Sequence, residues 1–314
     1  MMSGGPSPIT GQVVLRVREG DRQGMADAVR QQGYAPVDKP EPGSSPTAII
    51  VDPIALAGDG LARIHRAALA YPRAPLMILS GPLEKTQLAE LLETTNVAAL
   101  IARDTRDRDA EIDLALRTVT ATRESIPFGA DTLVRDATTR YTKTLAGSDE
   151  RDALVDHLEG FLADAGIRQR MVRIAVDAIE ELVTNALYDA PVDRAGRRVH
   201  AELDRKTAVH LPDAARPRLE VVVNGARVGA SMIDPHGSLE LATVRRFLAA
   251  GLRGTLSDKP GGAGLGFGRI YALVDRLVVR VVAKVRTETA FVLDTSGPRK
   301  DPAARPSGFL GVQA

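Results

Sequence analysis

Apolar and polar positions alternate between two periods along the first 124 residues of the chain. Short apolar runs at 13–17 (VVLRV), 34–37 (YAPV), 47–52 (TAIIVD), 75–80 (PLMILS) and 97–102 (VAALIA) read as strands. Between them, helical spacing predicts helices over 24–32, 61–71, 83–94 and 110–122, the first stopped by Gly33. Strands that alternate with helices in this way fold as a parallel sheet with helices on both faces.

After residue 138 the pattern changes. TRYTKTLA (139–146) reads as a strand. A helix follows over 150–165, with Ser148 or Asp149 as its cap and Gly166 as its stop. Helical spacing returns over 168–187, where Val176, Ile179, Leu182, Val183, Ala186 and Leu187 form one apolar stripe. Strands at 218–223 and 226–234 flank Asn224-Gly225, a strong hairpin signal. Helices are predicted over 239–250 and 266–274. Strands at 277–285 and 289–294 are joined by a polar turn at 286–288. Early helices and late hairpin strands predict helices on one face of a largely antiparallel sheet.

The expected class is therefore α/β. A flavodoxin-like, doubly wound parallel sheet is expected over 12–124, and an α/β two-layer sandwich over 139–295. Residues 125–138, which contain Pro127 and Gly129, read as a linker. The Gly/Pro/Ser-rich leader 1–11 and the Pro/Gly-rich stretch 296–314 read as flexible tails.

Composition narrows the function classes. Hydrophobic content of 44% and charged content of 26% over 314 residues are those of a globular protein. Lys and Arg number 41 against 40 Asp and Glu, a net charge of +1, so nothing marks a nucleic-acid partner. The absence of cysteine excludes a disulfide framework, a thiolate zinc site and a cysteine nucleophile. No apolar run approaches the roughly 18 residues of a membrane span, and the N-terminus does not read as a signal peptide. No membrane partner and a cytoplasmic location are expected.

Three stretches carry candidate chemistry. Glu181 and Asn185, in EELVTNA, stand one helical turn apart on a common face. A carboxylate and an amide so placed can hold a divalent cation and orient a hydroxyl. Asp234 in DPHG (234–237) follows a strand, where a buried carboxylate can accept a hydrogen bond from an exocyclic amino group. The loop KPGGAGLGFGR (259–269) opens a helix, so its backbone N–H groups and the positive end of the helix dipole can face phosphates. It is neither a Walker loop nor a Rossmann fingerprint. Each motif alone also has a plain structural use, as a surface helix, a turn before proline or a corner.

In this order the three resemble the GHKL ATPase family, the Bergerat fold shared by DNA gyrase, MutL, heat-shock chaperones, sensor histidine kinases and anti-sigma-factor serine kinases. EELVTNA is similar to its N box, DPHG to a shortened first glycine box, and GGAGLGFG to its second glycine box, over roughly 139–295. The resemblance implies ATP and Mg²⁺ as ligands. Asn185 would hold the metal and Glu181 would act as general base. Asp234 would contact the adenine amino group, and Gly237 would let the backbone approach the base. Gly262, Gly264, Leu265 and Gly266 would line the phosphates, with 239–260 partly forming a lid. Either Thr287 or Thr289 would back Asp234. Asp189 stands in the cofactor site where many relatives have histidine, which would alter the metal's surroundings.

The layout of strand, helix 150–165, Gly166-Ile167 and N-box helix looks most like the anti-sigma serine kinases. His157 lacks the context of a histidine-kinase phospho-acceptor. The implied activity is transfer of the γ-phosphoryl group to Ser or Thr of a protein partner, such as an anti-sigma antagonist or another signalling substrate. A non-catalytic, ATP-dependent interaction module and a simple ATPase are the alternatives, and a homodimer is left open.

Residues 12–124 resemble the receiver domain of response regulators. Asp52 matches the phospho-acceptor, Asp59-Gly60-Leu61 follows it, and Ser80 matches the switch hydroxyl. The family's acidic pair is reduced to Arg18-Glu19 and its lysine is replaced by Arg103. Exchanging a carboxylate for a cation weakens a Mg²⁺ pocket, so a degenerate receiver serving as a docking surface is expected.

Overall fold

The computed structural model describes residues 11–53, 60–80, 83–94, 96–102, 108–121, 125–225, 227–255, 265–296 and 308–314. The chain is α/β and divides into two compact units, 1–126 and 127–314. Among the described residues no helix is long and apolar enough to cross a membrane.

The first unit runs β1 (Gln12–Arg16), α1 (Glu19–Gln31), β2 (Ala35–Val37), β3 (Ala48–Val51), α2 (Gly60–Ala70), β4 (Leu76–Ser80), α3 (Lys85–Glu93), β5 (Val97–Ala102) and α4 (Arg108–Val119). Its strands pair in the order β2-β1-β3-β4-β5, each parallel to its neighbour. Strands β3 and β4 are apolar almost throughout because parallel strands are covered on both faces. Helix α1 starts at Glu19, ahead of the expected residue 24. Gly20 and Gly24 each cost about 1 kcal/mol against alanine in a helix, which hides the start in the pattern. Glu19 and Asp21 in the first turn offset this through the helix dipole.

The second unit contains β6 (Thr139–Thr144), α5 (Arg151–Asp164), α6 (Gln169–Thr184), β7 (Arg218–Asn224), β8 (Arg227–Asp234), α7 (Leu241–Arg253), α8 (Leu265–Leu273), β9 (Arg276–Val282), β10 (Arg286–Asp294) and β11 (Gly308–Gln313). The strand order is β11-β9-β10-β8-β7-β6, antiparallel except for the parallel β11–β9 pair. Helices α5, α6, α8 and α7 touch in that sequence, with α6 resting on β8 and β10 and α8 on β9. The stripe of α6 is buried as its spacing requires, from Met171 and Val172 to Leu182 and Val183.

Boundaries in the second unit differ from the sequence reading. The β9–β10 turn lies at 283–285, so 286–288 belong to β10. Lys284 takes the left-handed conformation there, with φ 59°. The stretch expected to be a tail through 314 ends in strand β11, which pairs with β9 along its whole length. Its Phe309 and Leu310 are buried, although Gly308, Gly311 and the Pro-rich residues before them hide the strand in the sequence.

The stretch read as a linker also has structure. A short 3-10 turn at Ala130–Thr132 and the residues after it bury Ala130, Val134 and Ala137 against Val222 and Val292. The Gly129 N–H donates to Glu288 Oε1 at 2.8 Å, and the Ala130 N–H to Glu220 Oε2 at 3.0 Å. Side chains alternate across a sheet, so Glu288 lies on the face opposite Thr287 and Thr289. Glu288 is fully buried and pairs with the equally buried Arg280, while Ser231 Oγ donates to Glu288 Oε1. Arg280 Nη1 also donates to Thr132 Oγ1 at 3.0 Å.

Candidate functional site

Helix α6 does not end where its α-helical bonds stop. It continues as a π-helical turn, Asn185–Asp189, closed by the Ala190 N–H on the Asn185 carbonyl at 2.9 Å. Such turns widen the helix and re-aim its side chains, and they recur at functional sites. Here the turn delivers Asn185, Ala186 and Asp189 to a cleft shared with Leu182, Met232, Asp234, Ser238, Thr243, Phe247, Phe267, Thr287 and Thr289. The cleft opens to solvent, and its apolar walls carry a few polar side chains at Asn185, Asp189 and Asp234.

The segments that meet there come from across the unit. Asp234 ends β8 and stands directly opposite Thr287 on β10, so Thr287 is the threonine that register sets beside it, while Thr289 lines the cleft farther along. The His236 N–H donates to Asp234 Oδ1 at 2.9 Å. Burial pushes the Asp234 carboxyl up to about 6, against the lowering effect of the His236 and Gly237 backbone donors. Asn185 Nδ2 is buried without a protein hydrogen-bond partner, which leaves a donor for a ligand or an ordered water.

Glu181 and Asn185 both face the first turn of α8. A Cβ on Gly266 would stand 2.9 Å from Glu181 Oε2 and 3.0 Å from Asn185 Oδ1. A larger residue there would push these two polar side chains aside. Glu181 is ion-paired with Arg269 of the same helix, whose guanidinium is exposed. Leu265 opens α8, whereas Gly262 and Gly264 lie outside the described residues.

Gly237 has a different reason to be glycine. Its φ is 58°, and a Cβ would meet the Val282 carbonyl at 2.3 Å and the Val285 nitrogen at 2.6 Å. The β9–β10 turn fills that space, so the fold itself requires Gly237.

Asp189 lines the cleft and is half clamped by Arg205, whose Nη2 donates to both carboxylate oxygens at 3.1 and 3.0 Å. Burial raises its carboxyl above the ordinary range, with Arg205 and Arg198 acting against it. Arg205 also stacks on the Tyr188 ring at 4.8 Å, and the Tyr188 hydroxyl sits against the carbonyls of Arg205 and Thr207. The sequence reading missed both Arg205 and the cleft-lining Arg198. They lie in the irregular stretch 191–217, where no periodicity points to a site.

In the first unit, Asp52 follows β3 and is fully buried. Arg18, between β1 and α1, places Nε 3.4 Å from Asp52 Oδ2. Ser80 ends β4 at the same sheet edge, while Asp59 and Arg103 lie outside the described residues. Glu19 follows β1 as expected and is the first residue of α1.

Against known proteins, no family model and no curated sequence matches the chain.

Proposed function

We propose that the second unit is a GHKL-type domain that binds ATP as its magnesium salt and transfers the γ-phosphoryl group to a Ser or Thr hydroxyl of a protein partner. One observation supports this most: Gly266 packs against Glu181 and Asn185 beside a cleft that also holds Asp234. Three motifs far apart in sequence thus meet around one cleft.

The residues suit the ligand. An ionised Asp234 accepts a hydrogen bond from the adenine amino group. The Asn185 Nδ2, unpartnered among the described residues, would face the phosphate end, and the amide oxygen would serve a hard cation. Among the described residues no group of three or more His, Cys, Asp or Glu could cage a metal, so Mg²⁺ would rest on Asn185 and the phosphates. When bound, Mg²⁺ supplies charge neutralisation on the transferring phosphoryl group. Glu181 takes the hydroxyl proton once its carboxylate leaves Arg269. The N–H groups at the start of α8 hold the phosphates that remain.

The first unit is read as a degenerate receiver. Its strand order is that of the flavodoxin-like class. The Arg18 guanidinium faces the carboxylate that a receiver would present to Mg²⁺, which supports docking rather than phosphorylation.

The Glu181–Arg269 pair favours a second reading, a nucleotide-dependent interaction module without chemistry. Incubating the full chain with γ-labelled ATP and a cell lysate separates the two. Label transferred to a protein, and lost with Glu181→Ala while ATP binding persists, supports the kinase. Binding without transfer supports the module.

A further inference from the structure

The geometry points to Arg198 as the residue by which this cleft recognises the phosphates of its nucleotide, a specificity that rests on the nucleotide reading above. Residues 192–198 form a closed turn. Val192 and Arg198 make an antiparallel bridge at its base, and the Val199 N–H donates to the Pro191 carbonyl at 3.1 Å. Within it, Asp193 Oδ1 accepts the N–H groups of Ala195 at 2.8 Å and Arg197 at 3.0 Å. Gly196 takes φ 78°, the left-handed position the turn needs. The backbone on either side of Arg198 is therefore fixed.

Its neighbours are committed and Arg198 is not. Arg197 is tied to Asp193 through Nε at 2.8 Å. Arg205 is bound to Asp189, and Arg269 to Glu181. Arg198 lines the cleft, near enough to Asp189 to bias its titration, yet its side chain makes no hydrogen bond or ion pair among the described residues. The Asp189 carboxylate is already answered by Arg205. Arg198 is thus an exposed cation on a rigid turn at the cleft, with its charge left for an incoming anion. A guanidinium matches two phosphate oxygens in one plane, whereas a nucleoside offers it no charge. On the sequence side, the stretch 191–217 that carries it lies outside every motif that carries the family resemblance.

The test is calorimetric titration of the full chain, as the parent, Arg198→Ala and Arg198→Lys, with Mg-ATP and separately with adenosine. Arg198→Ala is expected to weaken ATP by about tenfold or more, with adenosine unchanged. Arg198→Lys, which keeps the charge and loses the fork, is expected to fall between. The ATP deficit shrinks with added salt. Unchanged ATP affinity in Arg198→Ala overturns the assignment, as does an equal loss of ATP and adenosine, which marks a structural role. A parent that binds neither ligand rejects the nucleotide reading itself. A parent that binds adenosine as tightly as ATP leaves that reading standing and removes Arg198 from it.

Discussion

Gly266 and Glu181 approach closely: a methyl group at the Gly266 Cα would lie 2.9 Å from Glu181 Oε2, so the carboxylate would have to shift. This close approach, together with the Glu181–Arg269 ion pair, brings the carboxylate of helix α6 to the first turn of helix α8.

Gly266→Ala tests the contact directly. Alanine is the better helix residue by about 1 kcal/mol, so the substitution has little reason to unfold the unit. It forces Glu181 and Asn185 aside, and Mg-ATP affinity is expected to fall by roughly tenfold or more, equivalent to about 1.4 kcal/mol. Titration beside a thermal melt checks both halves. A variant that binds normally contradicts the role of the contact.

Asp234 gives the cleft a pH dependence. Its carboxyl sits at about 6 in the folded chain. In the proposed nucleotide site Asp234 would act in its ionised form, so ATP affinity is expected to be level above pH 7 and to decline as pH falls through 6. Asp234→Asn should bind weakly and without that decline. The stability sign is opposite: a folded pKa above the unfolded value makes the ligand-free fold gain stability as pH falls from 7 towards 4. Urea midpoints of the parent minus those of Asp234→Asn should show this gain, and a flat difference would contradict a buried, raised carboxyl.

The Glu288–Arg280 pair is expected to be the most sensitive polar position of the sheet. Both side chains are fully buried, so Glu288→Gln leaves an uncompensated guanidinium and should cost about 3–5 kcal/mol in urea unfolding. Glu288→Leu combined with Arg280→Met removes both charges and should cost much less. The Gly129 amide, which donates to Glu288, should exchange faster in either variant.

Arg18 is expected to keep Asp52 inert. Acetyl phosphate with Mg²⁺ should leave the mass of the intact chain unchanged. Arg18→Asp restores a carboxylate at the edge and should permit modification that Asp52→Asn abolishes. Stoichiometric phosphorylation of the parent chain would contradict the assignment of Arg18.

Much of the framework is legible in residue patterns, because it rests on local periodicity. The alternating strands of the first unit and the stripe of α6 need no distant partner to be recognised. The hairpin is signalled by Asn224-Gly225, and the strand pair forms with Asn224 opposite Arg227. What escapes is held from afar. Residues 127–137 look like a linker because their anchors, Glu220 and Glu288, are 90 and 159 positions away. Strand β11 is held by its register with β9 rather than by its own composition.

The same division runs through the site. Glu181, Asn185 and Asp234 announce themselves by type and spacing, whereas the π-helical turn that turns Asn185 and Asp189 into the cleft has no sequence signature. Gly237 carries the right letter for a local reason, since the β9–β10 backbone occupies its Cβ position.

Calorimetric titration of the intact chain with Mg-ATP tests the central claim most directly. Saturable binding at one site per chain is predicted, weakened separately by Asp234→Asn at the base end and Asn185→Ala at the phosphate end. Heat no different from buffer dilution up to millimolar ATP would contradict it.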